Sequence, residues 1–461
     1  MNWAFFVVRF VIIVGILSLF FFSQRFWHRA IWRSTANFSS QWLRVAARLL
    51  WLAMIFLVVS AFVDGVRMGH RHLIPRGTIL PALVGLWFFS AVFGFVAVKL
   101  VRGVDLLWTR IRKGQPPVPA AEAMQSGVSL SGTASAASVE QLRDPGRRYF
   151  FRAATAAAGA APFLGAVYGY AAERLKYQVR REEIPISNLN PALDGLSIVQ
   201  ISDIHLSGYM PRGQVRRAVE MANELGAHLA VVTGDFITGA SDPLPDCIEE
   251  IRQLRAPLGT WGCNGNHEIY ARVEDLAQSL FAQAGMKLLR EENAQLTFNG
   301  AQFNLIGVDY QRERTSGGQK KQTLIHGERL VRRDMPNILL SHNPNSFPRA
   351  AELGIELSLS GHTHGGQIQV EILDHRLSPA RFITDYIAGL YQRPLFAPSL
   401  DTPRYSQLDG YTEAPRGSRF PVVANPARMA SVYVNRGLGT VGAPVRIGVP
   451  PEITLIVLRR A

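Results

Sequence analysis

The sequence predicts an α/β sheet domain preceded by an all-α transmembrane region. Two observations support this division. The first 172 residues contain long apolar stretches and carry 18 of the 49 Lys and Arg residues, but only 5 of the 35 Asp and Glu residues. From residue 173 onward, short apolar runs alternate with helical segments such as Arg212 to Leu225 and Val273 to Ala284. Such alternation is typical of sheets built from strands and helices.

Four apolar stretches in the first part of the chain are candidate membrane helices, because about 20 apolar residues suffice to cross a bilayer. The second stretch is shorter, and a buried core helix is its alternative interpretation. The fourth is weakly apolar and rich in Ala and Gly. The stretches are Trp3 to Phe22, Leu49 to Val63 (extendable back to Val45), Ile79 to Val98, and Ala153 to Ala172.

These stretches divide the chain into four parts. Residues 1–113 form a transmembrane region with three helices, and residues 146–175 contain the fourth membrane helix. Residues 114–145 between them are rich in Pro, Ala and Ser, a composition that cannot bury a core and indicates a flexible linker. Residues 176–461 form the α/β domain.

The distribution of basic residues predicts the orientation in the membrane. Residues 25–48 contain five Arg and no acidic residue, residues 99–152 contain nine basic residues, and the loop between the second and third stretches contains three. Cytoplasmic loops carry the excess of Lys and Arg. We therefore expect residues 25–48 and 99–152 in the cytoplasm of a bacterial inner-membrane protein, and the α/β domain in the periplasm or exterior.

Two further features of the charge pattern concern nucleic-acid binding and export across the membrane. Residues 173–461 are nearly neutral, so the net charge of +14 belongs to the membrane region and predicts no nucleic-acid binding. The segment from Arg147 to Arg152 resembles a twin-arginine export signal, but it is equally interpreted as the positive flank of a membrane helix. No clean cleavage site follows, so we expect the segment to be retained as an anchor.

Five apolar runs in the α/β domain end in side chains that can bind metal. Ligand sites of open α/β sheets gather at the carboxyl ends of strands. Short motifs such as these, taken singly, are usually turns or capping pairs. Five of them in one order favour a shared site. The polar residues are Asp203 and His205, Asp235, Asn266 and His267, His342, and His362 and His364.

The predicted donor set contains both oxygen and nitrogen. This mixture suits Zn, Fe or Mn better than an all-oxygen Mg or Ca cage. About seven donors exceed the needs of one tetrahedral ion, but they suit two ions roughly 3.5–4 Å apart with one carboxylate between them.

The five motifs resemble the signature of the calcineurin-like metallophosphoesterase superfamily, and in particular its membrane-anchored members. The resemblance covers about residues 176–461 and implies a four-layer α/β/β/α sandwich. The motifs read Asp203-Ile204-His205, Gly234-Asp235, Gly265-Asn266-His267-Glu268, His342, and Gly361-His362-Thr363-His364.

The resemblance also implies a role for each residue. Two divalent ions, of Mn, Zn, Fe or Mg, are expected, and Asp235 bridges them. His267 corresponds to a histidine that contacts the scissile phosphate or protonates the leaving group. The first ion is expected on Asp203, His205, Asp235 and His364, and the second on Asp235, Asn266, His342 and His362.

The implied function is a membrane-anchored, dinuclear-metal phosphoesterase. It would hydrolyse a phosphomonoester, phosphodiester or pyrophosphate bond, with lipid and sugar-nucleotide substrates among the candidates. The alternative is a catalytically weak membrane-tethered binding module on the same fold. Thr238 departs from an acidic residue common at that position in the superfamily, which bears on metal preference and not on fold. The polar, basic segment from Gln311 to Arg329 is either a solvated loop or a phosphate contact.

Overall fold

The computed structural model describes residues 3–67, 79–113, 145–312, 323–372, 375–378, 380, 384–396 and 424–461. The chain divides into two compact units. One is built from the amino-terminal helices, and most of the other runs from Tyr168 to Ala461. The predicted linker over residues 114–145 lies, apart from Pro145, outside the described residues.

The amino-terminal part contains four described helices. Three stretches are long and apolar enough to cross a membrane, namely Gln41–Ser60, Leu83–Ile111 and Gly146–Leu175. They overlap the second, third and fourth predicted spans. The first predicted span, Trp3 to Phe22, falls in a helix where many side chains lie outside the described residues. The helices are α1 (Trp3–Ala36), α2 (Gln41–Arg67), α3 (Ile79–Lys113) and α4 (Pro145–Ala171).

Small residues bring α1, α3 and α4 close together. A Cβ atom added at Gly94 of α3 would lie 3.0 Å from the carbonyl oxygen of Gly159 in α4 and 3.0 Å from the ring of Trp27 in α1. The indole nitrogen of Trp27 donates a hydrogen bond of 2.8 Å to the carbonyl of Ala91. Close approach at small residues and polar bonds between helices are what hold helices together in lipid.

The α/β unit contains two six-stranded sheets among its described residues. In the first sheet the order is β1-β14-β2-β3-β4-β5, and β2 to β5 are parallel neighbours. Strand β14 pairs antiparallel with β2 and parallel with β1. The strands are β1 (Gln178–Ile186), β2 (Ser197–Ile201), β3 (Leu229–Thr233), β4 (Thr260–Cys263), β5 (Lys287–Leu288) and β14 (Glu452–Arg460).

The second sheet has the order β12-β13-β9-β8-β7-β6. Its four central strands are parallel, and both edge strands are antiparallel to their neighbours. A short hairpin of β10 (Val370–Ile372) and β11 (His375–Leu377) stands apart. The sheet strands are β6 (Glu292–Phe298), β7 (Ala301–Gly307), β8 (Asn337–Leu340), β9 (Leu357–Ser360), β12 (Gly389–Phe396) and β13 (Ala424–Val434).

The two sheets pack face to face, and helices cover their outer faces. Successive residues of a strand point to opposite faces. In β3, Leu229 and Val231 join the core between the sheets, whereas Ala230 and Val232 face the helices of the first sheet. Both faces of β3 are therefore buried, which explains why its sequence is continuously apolar. The predicted four-layer α/β/β/α arrangement is confirmed.

The helices of the α/β unit fill the outer layers. The helix predicted over Arg212 to Leu225 is confirmed but ends at Asn223, and the one predicted over Val273 to Ala284 is confirmed within one residue at each end. The helices are α5 (Arg212–Asn223), α6 (Leu244–Ile251), α7 (Asn266–Ala271), α8 (Glu274–Gln283) and α9 (Phe347–Glu352).

Candidate metal centre

The candidate ligands all follow the carboxyl ends of central strands. Strands β2, β3 and β4 are adjacent and parallel in one sheet, and β8 and β9 are adjacent and parallel in the other. The ligands therefore meet at one edge of the sandwich, as expected for α/β sheets. Asp203 and His205 follow β2, Asp235 follows β3, Asn266 follows β4, His342 follows β8, and His362 and His364 follow β9.

Five of the seven candidate ligands have a left-handed backbone. Positive φ is uncommon outside glycine, and it costs of order 1–3 kcal/mol for each residue. Such residues cluster at functional sites, because the surrounding structure holds them there. The φ angles are 49° at Asp203, 50° at His205, 56° at Asp235, 75° at His362 and 52° at His364.

A first cluster consists of Asp203, His205, Asp235 and His364, whose ligand atoms lie within 4.8 Å of one another. Nε2 of His205 lies 3.2 Å from Nε2 of His364 and 3.4 Å from Oδ2 of Asp235. Nε2 of His364 lies 3.3 Å from Oδ1 of Asp203. Two carboxylates and two imidazoles thus converge in a buried space, which is a suitable donor set for one cation.

A second cluster consists of Asp235, His342 and His362, again within 4.8 Å. Nε2 of His342 lies 3.1 Å from Oδ2 of Asp235 and 3.9 Å from Oδ1 of Asp203. Asp235 belongs to both clusters, so its carboxylate lies where a bridge between two ions would have to be.

Asn266 supplies the test of whether the site fits a metal. The residue is buried, and its Oδ1 atom has no hydrogen-bond partner among the described residues. Leaving a buried acceptor unpaired costs about 1–3 kcal/mol. The backbone nitrogen of the next residue, His267, donates to Oδ1 of Asp235, so Asn266 directly precedes a residue that contacts the shared carboxylate. A cation on the amide oxygen of Asn266 would satisfy the unpaired acceptor, and the residues fit two divalent ions.

Backbone and hydroxyl oxygens orient the histidines of both clusters. Nδ1 of His342 lies 2.7 Å from the carbonyl oxygen of Thr233, and Nδ1 of His205 lies 3.3 Å from the hydroxyl of Thr238. With Nδ1 engaged in this way, each ring turns Nε2 toward the carboxylates. Partners of this type fix the tautomer of metal-binding histidines.

Two glycines make room for the carboxylates. A Cβ atom at Gly265 would lie 2.1 Å from Oδ1 of Asp235, and one at Gly361 would lie 2.2 Å from Oδ2 of Asp203. Both distances are far below van der Waals contact, so any side chain at these positions would displace a candidate ligand. The glycines of the G-N-H and G-H-x-H motifs are therefore required by close approach.

The buried carboxylate of Glu268 fixes the turn that carries Asp235. It accepts hydrogen bonds from the backbone nitrogens of Asp235 at 2.9 Å, Phe236 at 2.8 Å and Gly265 at 2.9 Å. Burial raises the pKa of Glu268 to about 7, and the neighbouring Asp235 adds to the increase. In the sequence, Glu268 stands out only as the last residue of the Gly265-Asn266-His267-Glu268 motif, and the motif implies no role for it.

The electrostatics of the clusters favour a cation at their shared carboxylates. Burial by itself would lower the pKa of His342, but Asp235 and Asp203 reverse this and raise it to about 10. Burial would likewise raise the pKa of Asp235, whereas His342 and His205 hold it well below its usual value. The carboxylates therefore bind positive charge strongly at the point where His342 meets them.

The imidazoles of His362 and His364 are neutral at physiological pH, as metal ligation requires. Burial, together with the charge of His342, lowers the pKa of His362 to about 4. Burial and the nearby His205 hold the pKa of His364 well below its usual value. Both rings can therefore offer a lone pair to a cation without first losing a proton.

His267 lies beside the clusters but belongs to neither. Its Nδ1 atom lies 2.6 Å from the carbonyl oxygen of Thr238, and its ring centroid lies 4.7 Å from that of His205. Burial is the main cause that lowers the pKa of His267. Because Nδ1 is held by a carbonyl, Nε2 is the atom that can exchange a proton with a bound molecule.

Thr238 is a second residue whose role sequence reasoning missed. It was noted only as a departure from an acidic residue, yet its carbonyl holds His267 and its hydroxyl contacts His205. The signal available in the sequence was its distance of three residues from Asp235, which places it in the same turn.

Two other features belong to the α/β domain around the site. Cys247 and Cys263 are buried free thiols. The basic segment from Gln311 to Arg329 is described only at its ends, and residues 313–322 lie outside the described residues. At those ends, the side chain of Gln311 accepts a hydrogen bond of 2.6 Å from the backbone nitrogen of Leu324.

Comparison with known proteins connects this geometry to a family. The sequence model of the calcineurin-like phosphoesterases matches residues 196–366, which contain all seven candidate ligands. The chain is similar to a transmembrane protein with metallophosphoesterase domain from Bos taurus, with 30% identity over 292 residues, covering 60% of this chain and 56% of the relative. The chain thus spans little more than half the length of this relative.

Two bacterial relatives match over more of their own length. The uncharacterized metallophosphoesterase YkuE of Bacillus subtilis is 29% identical over 329 residues, which cover 69% of this chain and 99% of the relative. The UDP-2,3-diacylglucosamine pyrophosphatase LpxG of Chlamydia trachomatis is 26% identical over 310 residues, covering 57% of this chain and 84% of the relative.

Proposed function

Because the chain belongs to the calcineurin-like metallophosphoesterases, we propose that it is a membrane-anchored hydrolase of phosphomonoester, phosphodiester or pyrophosphate bonds. The observation that carries this proposal is the pair of buried ligand clusters that share Asp235. A binding module that had lost catalysis would have no need to keep both clusters complete.

The two clusters support one set of residues for each ion. Bound divalent cations would neutralise phosphoryl oxygens and supply hydroxide from water near neutral pH. The chain contributes the fixed positions of the donors, most of which are buried. One ion would lie on Asp203, His205, Asp235 and His364, and the other on Asp235, Asn266, His342 and His362.

His267 is proposed to act on the leaving group. The carbonyl of Thr238 fixes Nδ1, so a protonated ring would donate from Nε2 to the leaving oxygen as the ester bond breaks. The lowered pKa of His267 makes its protonated form a stronger acid. No serine or cysteine nucleophile is needed for this reaction, and both cysteines are buried with raised pKa values.

The choice among substrates is narrowed only by relatives. LpxG is named as a pyrophosphatase of a lipid-bearing sugar nucleotide, and it shares 26% identity with this chain. This likeness supports a pyrophosphate bond as the first class to test, with lipid-linked substrates included. The apolar helices at the amino terminus, three of which could span a membrane among the described residues, would place such an enzyme beside lipids.

The catalytic domain is proposed to face the periplasm or exterior of a bacterial inner membrane. Support for this placement comes from the basic residues of segments 25–48 and 99–152, which favour the cytoplasmic side.

The test is to measure metal content and hydrolysis of bis-p-nitrophenyl phosphate for the purified full chain and for Asp235→Asn. We expect about two divalent ions per chain in the wild type, and loss of both ions and of turnover in the variant, because one carboxylate serves both clusters. Asp246→Asn is the matched control, since its side chain is 43% exposed. Near-normal turnover of Asp235→Asn would contradict the proposal, and a metal-loaded wild type without turnover on any phosphoester class would favour the binding module.

A further inference from the structure

A cleft of about 470 Å³ opens beside the candidate metal centre. It is lined by one aliphatic residue, two tyrosines and two arginines: Ile269, Tyr270, Arg272, Tyr310 and Arg312. None of these residues belongs to the motifs that predicted the metal centre. The ligand motifs therefore do not account for the composition of the cleft.

Both tyrosines lie next to histidines of the site. The ring centroid of Tyr310 is 5.4 Å from that of His362 and 6.3 Å from that of His342. The ring centroid of Tyr270 is 6.2 Å from that of His267. The cleft thus borders the second ligand cluster on one side and the proposed proton donor on the other, so a group leaving from the scissile phosphorus would enter it.

The arginines make the cleft positive although the domain as a whole is nearly neutral. Arg272 and Arg312 are exposed, and neither forms an ion pair with a carboxylate of the described residues. The guanidinium carbon of Arg312 lies 4.8 Å from the ring centroid of Tyr270. A guanidinium held on an aromatic face keeps its donors free for an anion, and arginine binds phosphate in a bidentate manner.

The tyrosines offer planar surfaces of the size of a nucleobase. Tyr270 is 51% exposed, and its ring centroid lies 6.2 Å from that of Tyr310 at an interplanar angle of 80°. Exposed rings beside arginines are typical of surfaces on which bases stack. An acyl chain would instead require an aliphatic lining, and Ile269 is the only aliphatic residue among those that line the cleft.

We propose that this cleft binds a nucleotide leaving group: the arginines take the phosphoryl group next to the scissile one, and a tyrosine stacks on the base. The inference rests on the proposed function and narrows it to substrates of the nucleoside diphosphate type. In the reaction, water gives up a proton and adds its oxygen to the distal phosphorus, and the bond between that phosphorus and the bridging oxygen breaks. A nucleoside monophosphate leaves into the cleft with the bridging oxygen, which takes a proton from Nε2 of His267.

The test is calorimetric binding of three probes to the full chain in detergent: adenosine 5′-monophosphate, ribose 5-phosphate and adenosine. Adenine has a large stacking surface, and stacking is tolerant of the base. We expect adenosine 5′-monophosphate to bind about tenfold or more tightly than ribose 5-phosphate. Equal affinity for these two probes would overturn the inference, since the base would then contribute nothing.

Variants assign the affinity to the cleft. Arg312→Gln is expected to weaken the binding of both phosphate probes about tenfold and to leave the affinity for adenosine unchanged. Tyr270→Leu should remove the advantage of adenosine 5′-monophosphate over ribose 5-phosphate, and Tyr270→Phe should keep it. Arg255→Gln, in an exposed turn after α6, is the matched control. Equal binding of adenosine 5′-monophosphate by the Arg312 and Arg255 variants would also overturn the inference.

Hydrolysis of bis-p-nitrophenyl phosphate by the same preparation separates this inference from the proposed function. Turnover without a preference for adenosine 5′-monophosphate would contradict nucleotide binding in the cleft and would still support the hydrolase. A clear preference in a metal-loaded protein without turnover on any phosphoester class would support the cleft as a nucleotide site and would favour the binding module over the hydrolase. Metal content and thermal midpoint of each variant show that the fold and the metal centre are intact.

Discussion

At the scale of single residues, the site depends on where backbone atoms hold ordinary side chains. His205 and His267 differ in their proposed roles, yet both are positioned by Thr238. His205 points into a ligand cluster, whereas His267 has one nitrogen engaged by a carbonyl and the other available. A histidine of this kind can transfer a proton without competing for a cation.

His267→Ala is expected to keep both metal ions but to lower turnover by about 10²–10⁴, the usual contribution of a general acid. The decrease should be smaller for esters with good leaving groups, because these leave without a proton. Steady-state kinetics on a series of aryl phosphodiesters measures this difference. His326→Ala, whose side chain is 65% exposed, serves as the control. An equal loss across the series would indicate phosphate binding by His267 instead of proton transfer.

The pH profile gives an independent check on the same residue. A general acid must be protonated to act, so turnover of a poor leaving group should decrease as pH rises through the pKa of His267. Burial lowers that pKa below its ordinary value, which moves the decrease toward lower pH. This decrease at high pH should be absent from the profile for a good leaving group and from the profile of His267→Ala. If the decrease persists in His267→Ala, it reports the titration of another group.

The sequence predicted the ligand candidates because each belongs to a short motif after an apolar run. It could not predict Thr238 or Glu268 as positioning residues, since their roles arise from contacts across a turn and between strand ends. It also could not predict that Asn266 has an unpaired oxygen. Such facts depend on three-dimensional neighbours and leave no pattern of fixed spacing.

At the scale of elements, one buried side chain organises the segment after β13. Arg446 is fully buried and donates to the carbonyls of Arg436, Gly437, Gly439 and Val449. This segment lies against the first ligand cluster. The backbone nitrogen of Gly439 donates a hydrogen bond of 2.7 Å to the carbonyl of Asp203, and that of Leu438 donates one of 3.0 Å to the carbonyl of Ser202.

Arg446→Met should therefore destabilise the α/β unit by about 3 kcal/mol or more, because several buried carbonyls lose their donors. Metal affinity should decrease with stability, since Asp203 loses its support. Arg446→Lys keeps fewer donors in a different geometry, so its stability and metal affinity are expected to lie between those of the wild type and Arg446→Met. Thermal unfolding and metal titration in detergent measure both effects.

The control for this prediction is Arg459→Met. Arg459 forms an exposed ion pair with Glu183 at 2.6 Å, and exposed pairs contribute about 0–1 kcal/mol. Similar thermal midpoints for the Arg446 and Arg459 variants would show that the segment after β13 is held by other contacts.

The five central strands that precede the motifs, β2, β3, β4, β8 and β9, were predictable from the sequence because burial on both faces produces continuous apolar runs, as in β3. The pairing of the strands was not. Strand β14 comes from the end of the chain and inserts between β1 and β2, a neighbour relation that no local pattern records. The four-layer arrangement was reached through resemblance to a family, and the two core clusters on either side of β3 now account for it physically.

At the scale of the whole molecule, charge and hydropathy separate a basic, apolar amino-terminal part from a nearly neutral carboxyl-terminal domain. Neutrality limits long-range attraction of anionic substrates, so recognition would depend on local charge such as that of Arg272 and Arg312. We expect the basic residues of the first part instead to select which loops remain in the cytoplasm.

The last prediction concerns this orientation. Residues 25–48 and 99–152 carry five and nine basic residues, against three between the second and third predicted spans. With four spans this places residue 461 outside the cytoplasm. The fourth span decides the outcome, because Gly146–Leu175 is rich in Ala and Gly and is the least apolar of the three described candidates. If it failed to insert, the catalytic domain would stay in the cytoplasm behind three spans.

Alkaline phosphatase and a fluorescent protein, fused in turn to residue 461 in a bacterial host, distinguish these cases. The phosphatase forms its disulfides only in an oxidising compartment, so its activity reports export. We expect an active phosphatase fusion at residue 461 and an inactive one after Lys113, the matched control on the cytoplasmic side. A bright fluorescent fusion with an inactive phosphatase at residue 461 would place the domain in the cytoplasm, and any substrate would then have to be sought on the inner face of the membrane.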